Sequence, residues 1–322
     1  MTIPAAFAPA LPAMGAILVA MAVVAGIETL LPLHARGRWN RAHLAPNLAL
    51  TFLTFGTNFL LNAAVVAGIV WLEDRGFGLL GALSLPPLVA GGSAIVVLDF
   101  SFYVLHVGMH KIPRWWRYHA VHHSDPAVDV TTTIRQHPME SLLRYAFIAV
   151  FAFALVPSPA AFGAYRVLAA LSGLLEHANI RLPLWLDRLL ALVTTWPNLH
   201  KVHHSRVAAQ TDTNYGNLLS VWDRLFGTFT PSFQGAAIEY GLDGFDASAA
   251  QTTIGLLAMP WRGRAIEIDR GPSAGSKEPV CRNDGRRETH RAAPARGAEE
   301  RAGAEVGPGG QRAATGCIVH TM

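Results

Sequence analysis

Residues 79–123 read LLGALSLPPLVAGGSAIVVLDFSFYVLHVGMHKIPRWWRYHAVHH, and the change halfway along this stretch decides the fold. Residues 79–105 are apolar apart from Asp99 and exceed the roughly 20 residues a helix needs to cross a hydrocarbon core. From His106 onward the chain is basic, aromatic and rich in histidine. A spanning helix that ends this way arrives at a membrane surface and brings potential metal ligands with it.

The same apolar character extends outward. Residues 12–33 are apolar apart from Glu28, and residues 44–72 are apolar with a few Asn and Thr. Each suffices for a further span. Residues 142–177 are broken by Val156-Pro157-Ser158-Pro159, which predicts two short apolar helices of about 15 residues, a thin hairpin or a re-entrant pair. The first 14 residues lack the positive start of a cleaved signal peptide. Only 15% of the 322 residues are charged and 51% are hydrophobic, whereas soluble domains carry about 25% charge. This deficit argues against a freely soluble enzyme.

The net charge of +4 does not point to nucleic acid. Residues 262–322 hold 11 Lys/Arg and 8 Asp/Glu, interleaved, without an aromatic residue and without periodicity. Such a segment reads as a disordered tail rather than a basic arm. Cys281 and Cys317 form neither a disulfide framework nor a CxxC metal site. The expected architecture is all-α: a multi-pass membrane helical bundle with a cytosolic histidine-rich helical cap. Its parts are N-terminal transmembrane helices over 1–94, a catalytic region over 95–230, a C-terminal extension over 231–261 and the tail over 262–322.

Loop charges orient the bundle. Arg36, Arg38 and Arg41 follow the first span, and Lys111, Arg114, Arg117 and Arg135 follow the third, whereas loop 73–78 holds Glu73, Asp74 and Arg75. The positive-inside rule puts the first and third of these loops in the cytoplasm and the N-terminus outside, in a bacterial-type plasma membrane. Trp115, Trp116 and Tyr118 suit the headgroup level. Asn47, Thr51, Thr54, Asn58 and Asn62 form one helical stripe, expected to make interhelical hydrogen bonds, with a channel wall as the sharper alternative.

Ten of the 14 histidines fall between positions 106 and 204, where even placement would put about four. His106 and His110 form HxxxH; His119, His122 and His123 form HxxHH; His200, His203 and His204 form a second HxxHH. On a helix, residues i, i+3 and i+4 share a face, so these spacings concentrate imidazoles. Eight imidazoles exceed one four-coordinate zinc site and suit two metals with about four or five nitrogen ligands each. His177 and His137 are candidates to complete the set, although His137 could instead cap a helix. His34, His43, His290 and His320 are expected to be solvated or interfacial. No HExxH, GxSxG or P-loop occurs, and no Glu-x-x-His pair lies in this region, which disfavours a zincin and a ferritin-like carboxylate site. Asp99, Tyr103, His106 and His110 share a helix face, so Asp99 is expected to orient a ligand histidine directly or through Tyr103.

With their flanks, these boxes resemble the fatty acid hydroxylase/sterol desaturase superfamily. Arg135-Gln136-His137-Pro138 is similar to the segment after the second box. Asp212-Thr213-Asn214-Tyr215-Gly216 and Val221-Trp222-Asp223-Arg224-Leu225-Phe226-Gly227-Thr228 are similar to the segment after the last. The resemblance covers about 95–230. It implies a non-haem di-iron centre, two iron ions held largely by histidines. It also implies O2-dependent hydroxylation or desaturation of a lipid substrate from the bilayer. Two electrons would come from an external donor, whether cytochrome b5-like, ferredoxin/reductase or pterin. The three boxes are the implied ligands, with His177 a further one; Asn179 and Arg181 stand where some members carry another histidine. Asn214-Tyr215-Gly216 and an Asp223–Arg224 ion pair are expected to anchor the last box. The later motif also resembles alkylglycerol monooxygenase, which takes electrons from a tetrahydropterin. A histidine-rich metal transporter is the alternative from another class, and it predicts histidines at mid-membrane depth.

Overall fold

Helices account for the regular structure of the computed structural model, which describes residues 10–35, 38–232, 238–245 and 247–262. All of these belong to one unit, Met1–Ser273; the tail, with His290 and His320, lies outside the described residues. Helices α1 (Ala10–Leu30), α2 (Arg38–Glu73), α4 (Pro87–Lys111) and α6 (Pro138–Leu155) supply four segments long and apolar enough to cross a membrane. No β-strand forms among the described residues. Large apolar side chains such as Leu88 (88% exposed) and Val150 (65%) point outward, as a lipid-facing surface requires.

Two boundaries differ from expectation for local reasons. The third span begins at Pro87, not at residue 79; a short helix α3 (Leu79–Ala82) stands apart, because Ser84 takes a positive φ of 48° and Pro86-Pro87 restarts the chain. The break at residues 156–159 consumes less chain than expected. Val156 ends α6 in the left-handed conformation, and Ser158 caps α7 (Pro159–His177) by accepting the Ala161 N–H, with Pro159 at the first turn. The two helices are therefore 18 and 19 residues long.

The short helices gather at one end of the bundle. Ile112 is extended and Pro113 opens α5 (Pro113–His123), so the chain turns sharply between the first two histidine boxes. A 3-10 turn (Val130–Ile134) follows, and after α7 come α8 (Leu184–Leu190), α9 (Pro197–His203), α10 (Ala208–Thr211), α11 (Val221–Leu225) and α12 (Thr253–Ala258). Glu28, the one acid of the first span, is fully buried at this end and accepts the N–H groups of Val130 and Asn179, both at 2.8 Å. Asn179 also binds the His34 backbone through both ends of its amide. The loops are thereby stapled to the ends of α1 and α7.

Candidate metal centre

Nine buried histidines converge in two groups. His106, His110, His119, His123 and His203 form one, and His122, His177, His200 and His204 the other; within each, one ring nitrogen per residue lies within 4.8 Å of all the rest. Every box obeys the same rule. The i, i+4 pairs His106/His110 and His119/His123 share the first group, while the intervening His122 turns to the second. The pair His200/His204 shares the second group, and His203 turns to the first. His123 and His204 stack at 4.5 Å between ring centroids, so the groups adjoin.

The donor set fits metal ions for an electrostatic reason. The Nδ1–H groups of His106, His203 and His177 donate to the carbonyls of Tyr215 (2.7 Å), Thr213 (2.8 Å) and Gly173 (2.7 Å). The opposite nitrogen, Nε2, therefore carries a bare lone pair inward. His177 Nε2 lies 3.0–3.1 Å from the Nε2 atoms of His122, His200 and His204. His106 Nε2 lies 3.0 Å from His119 Nε2, and His119 Nδ1 faces Glu140 at 3.1 Å. The buried Nε2 of His203 has no hydrogen-bond partner. Lone pairs facing one another at such distances repel unless a cation sits among them. A coordination polyhedron with metal–nitrogen bonds of about 2.1 Å has edges of about 3.0–3.4 Å, which these separations match. Burial pushes the rings of His119, His122, His123, His200 and His204 well below the usual histidine range, and His203 down to about 4. Neutral imidazole is the form that binds metal.

Carboxylates stand behind the rings. Glu140 accepts from Arg144 at 2.8 Å besides facing His119, Glu176 lies 3.7 Å from His200 Nδ1, and Asp212 lies 3.5 Å from His110 Nδ1. Spacing in the sequence gave these acids no role; their scarcity among the histidines was the one available signal.

Several expected positions have different tasks. Asp99 touches no histidine. It accepts N–H groups from Leu218 (3.0 Å), Leu219 (3.2 Å) and the Trp222 indole (2.9 Å), while Tyr103 bonds Thr228. It anchors the loop carrying Tyr215, and so bears on His106 only through that loop. His137 stands outside both groups, caps α6 by accepting the Met139 N–H, and reaches the Leu257 carbonyl through Nε2. Asp223 and Arg224 do not pair: Asp223 accepts from the Tyr215 and Gly216 N–H groups, and Arg224 donates to the Ala191 carbonyl. Trp116 is buried against His110 and His123 rather than set at the headgroup level. His34 is half-buried against Tyr240.

His43, expected to be solvated or interfacial, is buried with Nδ1 2.9 Å from Asp125. Asp125 also accepts from Asn47 and Thr132, both at 2.8 Å. Arg135, fully buried, donates to Asn47, Ser124, Gln251 and the Val121 carbonyl. Although burial works against its charge, Arg135 and His43 hold the Asp125 carboxyl below the usual carboxylate range. This network braces the end of α5, where His119, His122 and His123 sit.

A cavity of about 640 Å³ opens on the histidines and runs among the membrane helices. Its wall includes His106, His119, His122, His177 and His200, then Phe55, Phe102 and residues along α7 from Gly173 back to Pro159. The polar stripe of α2 divides here: Asn47 and Thr54 bind protein partners, while Asn58 and Asn62 face the cavity. Both readings of the stripe hold, each for part of it.

A family model described as fatty acid hydroxylase matches residues 92–228. An ornithine lipid hydroxylase of Rhizobium tropici is 32% identical over 180 residues, 55% of this chain and 53% of that protein. An alkylglycerol monooxygenase of Xenopus tropicalis is 31% identical over 147 residues, 45% of this chain and 31% of the other. A cholesterol 25-hydroxylase-like protein of Danio rerio is 29% identical over 139 residues, 42% and 53% respectively. The chain thus spans about half or less of the length of these relatives. No solved structure matches it significantly.

Proposed function

We propose, on the match of residues 92–228 to the fatty acid hydroxylase family model, that this chain is a membrane-bound non-haem di-iron oxygenase that hydroxylates or desaturates a lipid with O2 and two electrons from an external donor. The observation that carries this is the pair of adjoining histidine groups, five and four strong, at the head of a membrane cavity. Nitrogen-rich sites suit iron, zinc and copper alike; the similarity to the fatty acid hydroxylase family supports iron. Two bound irons would supply the oxidising power that side chains lack for attack on an unactivated C–H bond.

The chain's own part is positional. The carbonyls of Tyr215, Gly173 and Thr213 fix three rings in the tautomer that presents Nε2. Glu140, held by Arg144, keeps His119 turned the same way. The apolar wall orients an alkyl chain and excludes water from the reacting carbon. A transporter would need histidines at mid-span, whereas these lie at or beyond the last turns of α4 and α7. Exposed Lys111, Arg114 and Arg117 at the same end support a cytoplasmic metal face.

The test compares the lipids of a producing strain with those of a deletion strain. A lipid one oxygen atom heavier, or two hydrogens lighter, is expected only in the former. Purified protein that holds a single labile zinc, no iron, and consumes no O2 overturns the proposal. Supplying tetrahydropterin or a reductase–ferredoxin chain then identifies the donor.

A further inference from the structure

We propose that Arg166 is the receptor for an anionic group on the lipid, which makes the substrate an acyl lipid bearing a carboxylate or phosphate rather than a neutral one. The proposal rests on the oxygenase reading only in taking the cavity as the place of the substrate.

Arg166 lies near the middle of α7 and lines the cavity. Its guanidinium sits over the Tyr145 ring, 4.7 Å from the centroid. Among the described residues it has no carboxylate within ion-pair distance. Arg144, the other arginine of the cavity wall, is paired with Glu140 at 2.8 Å. A cation lining a mainly apolar cavity calls for a counter-charge, and a ring face compensates only part of the cost of leaving water. A planar fork of five donors fits a carboxylate or phosphate edge to edge. The cavity offers further donors in the side-chain amides of Asn58 and Asn62, which line the same space.

The geometry also restricts where oxidation falls. Arg166 and His177 are eleven residues apart on one helix, about 16 Å at the helical rise. Between the two, Ala170 and Gly173 leave room along the wall for an alkyl chain. A lipid held by its anion at Arg166 therefore presents to the histidines a carbon well down the chain, not one beside the anionic group.

Equilibrium dialysis of labelled palmitate, palmitoyl lysophosphatidate and monopalmitoylglycerol against the detergent-solubilised full chain tests this without turnover. The unaltered chain is expected to bind both anionic lipids more tightly than the neutral one. Arg166→Gln should weaken the anionic lipids by about thirtyfold or more, as loss of one member of a buried charge pair does. Neutral binding should be unchanged, and Arg166→Lys should fall between. Palmitate and lysophosphatidate separate a carboxylate requirement from a phosphate one. Equal binding of neutral and anionic lipids by the unaltered chain overturns the proposal whether or not any variant folds, and so does an Arg166→Gln protein that keeps its preference. Anionic preference together with absent O2 consumption would leave Arg166 its role and remove the oxygenase.

Discussion

Within each HxxHH box the i+3 histidine is the one that reaches across to the other metal group, so single residues separate the two groups experimentally. His177 contributes only to the group of four, where its Nε2 meets three others. His177→Ala should lower iron from about two per chain toward one, read by elemental analysis; a loss of both would mean that the groups fill as a unit. His137→Ala should leave iron content unchanged and lower stability by about 1 kcal/mol, because His137 is a helix cap. Arg135 is the residue with most at stake outside the ligands. Removing it leaves His43 as the remaining charged partner of Asp125 and takes a donor from each of Asn47, Ser124, Gln251 and the Val121 carbonyl, and Arg135→Met should cost about 3 kcal/mol, seen as a large fall in the thermal midpoint. A midpoint within a degree or two of the parent would mean that the network does not brace α5.

At the scale of elements, the loop between α10 and α11 is held from two sides. Asp99 on α4 accepts two N–H groups from it and the Trp222 indole N–H of α11, and Asp223 accepts two more from the loop, which fixes the Tyr215 carbonyl against His106. Asp99→Asn should cost about 1–3 kcal/mol and lower iron retention on dilution. Unchanged iron content together with an unchanged midpoint would remove any positioning role for Asp99. Gly216 tests the same loop sterically. A Cβ there would meet the Leu219 carbonyl at 2.5 Å and Asp223 Oδ2 at 2.9 Å, so Gly216→Ala should displace the loop and reduce iron binding by the group of five.

At the scale of the whole molecule, the proposed metals make the stability of the bundle's polar end testable. Inward-facing lone pairs on nine buried rings repel one another, so chelation should lower the thermal midpoint by several degrees, and ferrous iron should restore it. An apo protein as stable as the loaded one would contradict the electrostatic account of the site. Orientation is open to labelling: a cysteine in place of exposed Arg114 should react with an impermeant thiol reagent in inside-out vesicles and not in intact cells.

The features legible in the sequence were those written in local spacing. Run length announced the spans, and the i, i+4 intervals announced which imidazoles share a face, because a helix converts sequence separation directly into geometry. Placing His122 opposite His119, burying His43 against Asp125 and turning Asp99 away from the histidines could not be read this way. Each depends on partners 55 to 123 residues distant, brought in by the turns at Ile112-Pro113 and Val156-Pro159. The same holds for Arg135 and the cavity, whose walls come from seven helices, α1, α2, α4, α5, α6, α7 and α9. By itself the sequence determined a membrane helical bundle carrying clustered histidines. Only the tertiary structure sorted those histidines into two groups and left Arg166 without an ion-pair partner among the described residues, because lone pairs and charges take on meaning only from what packing places opposite them.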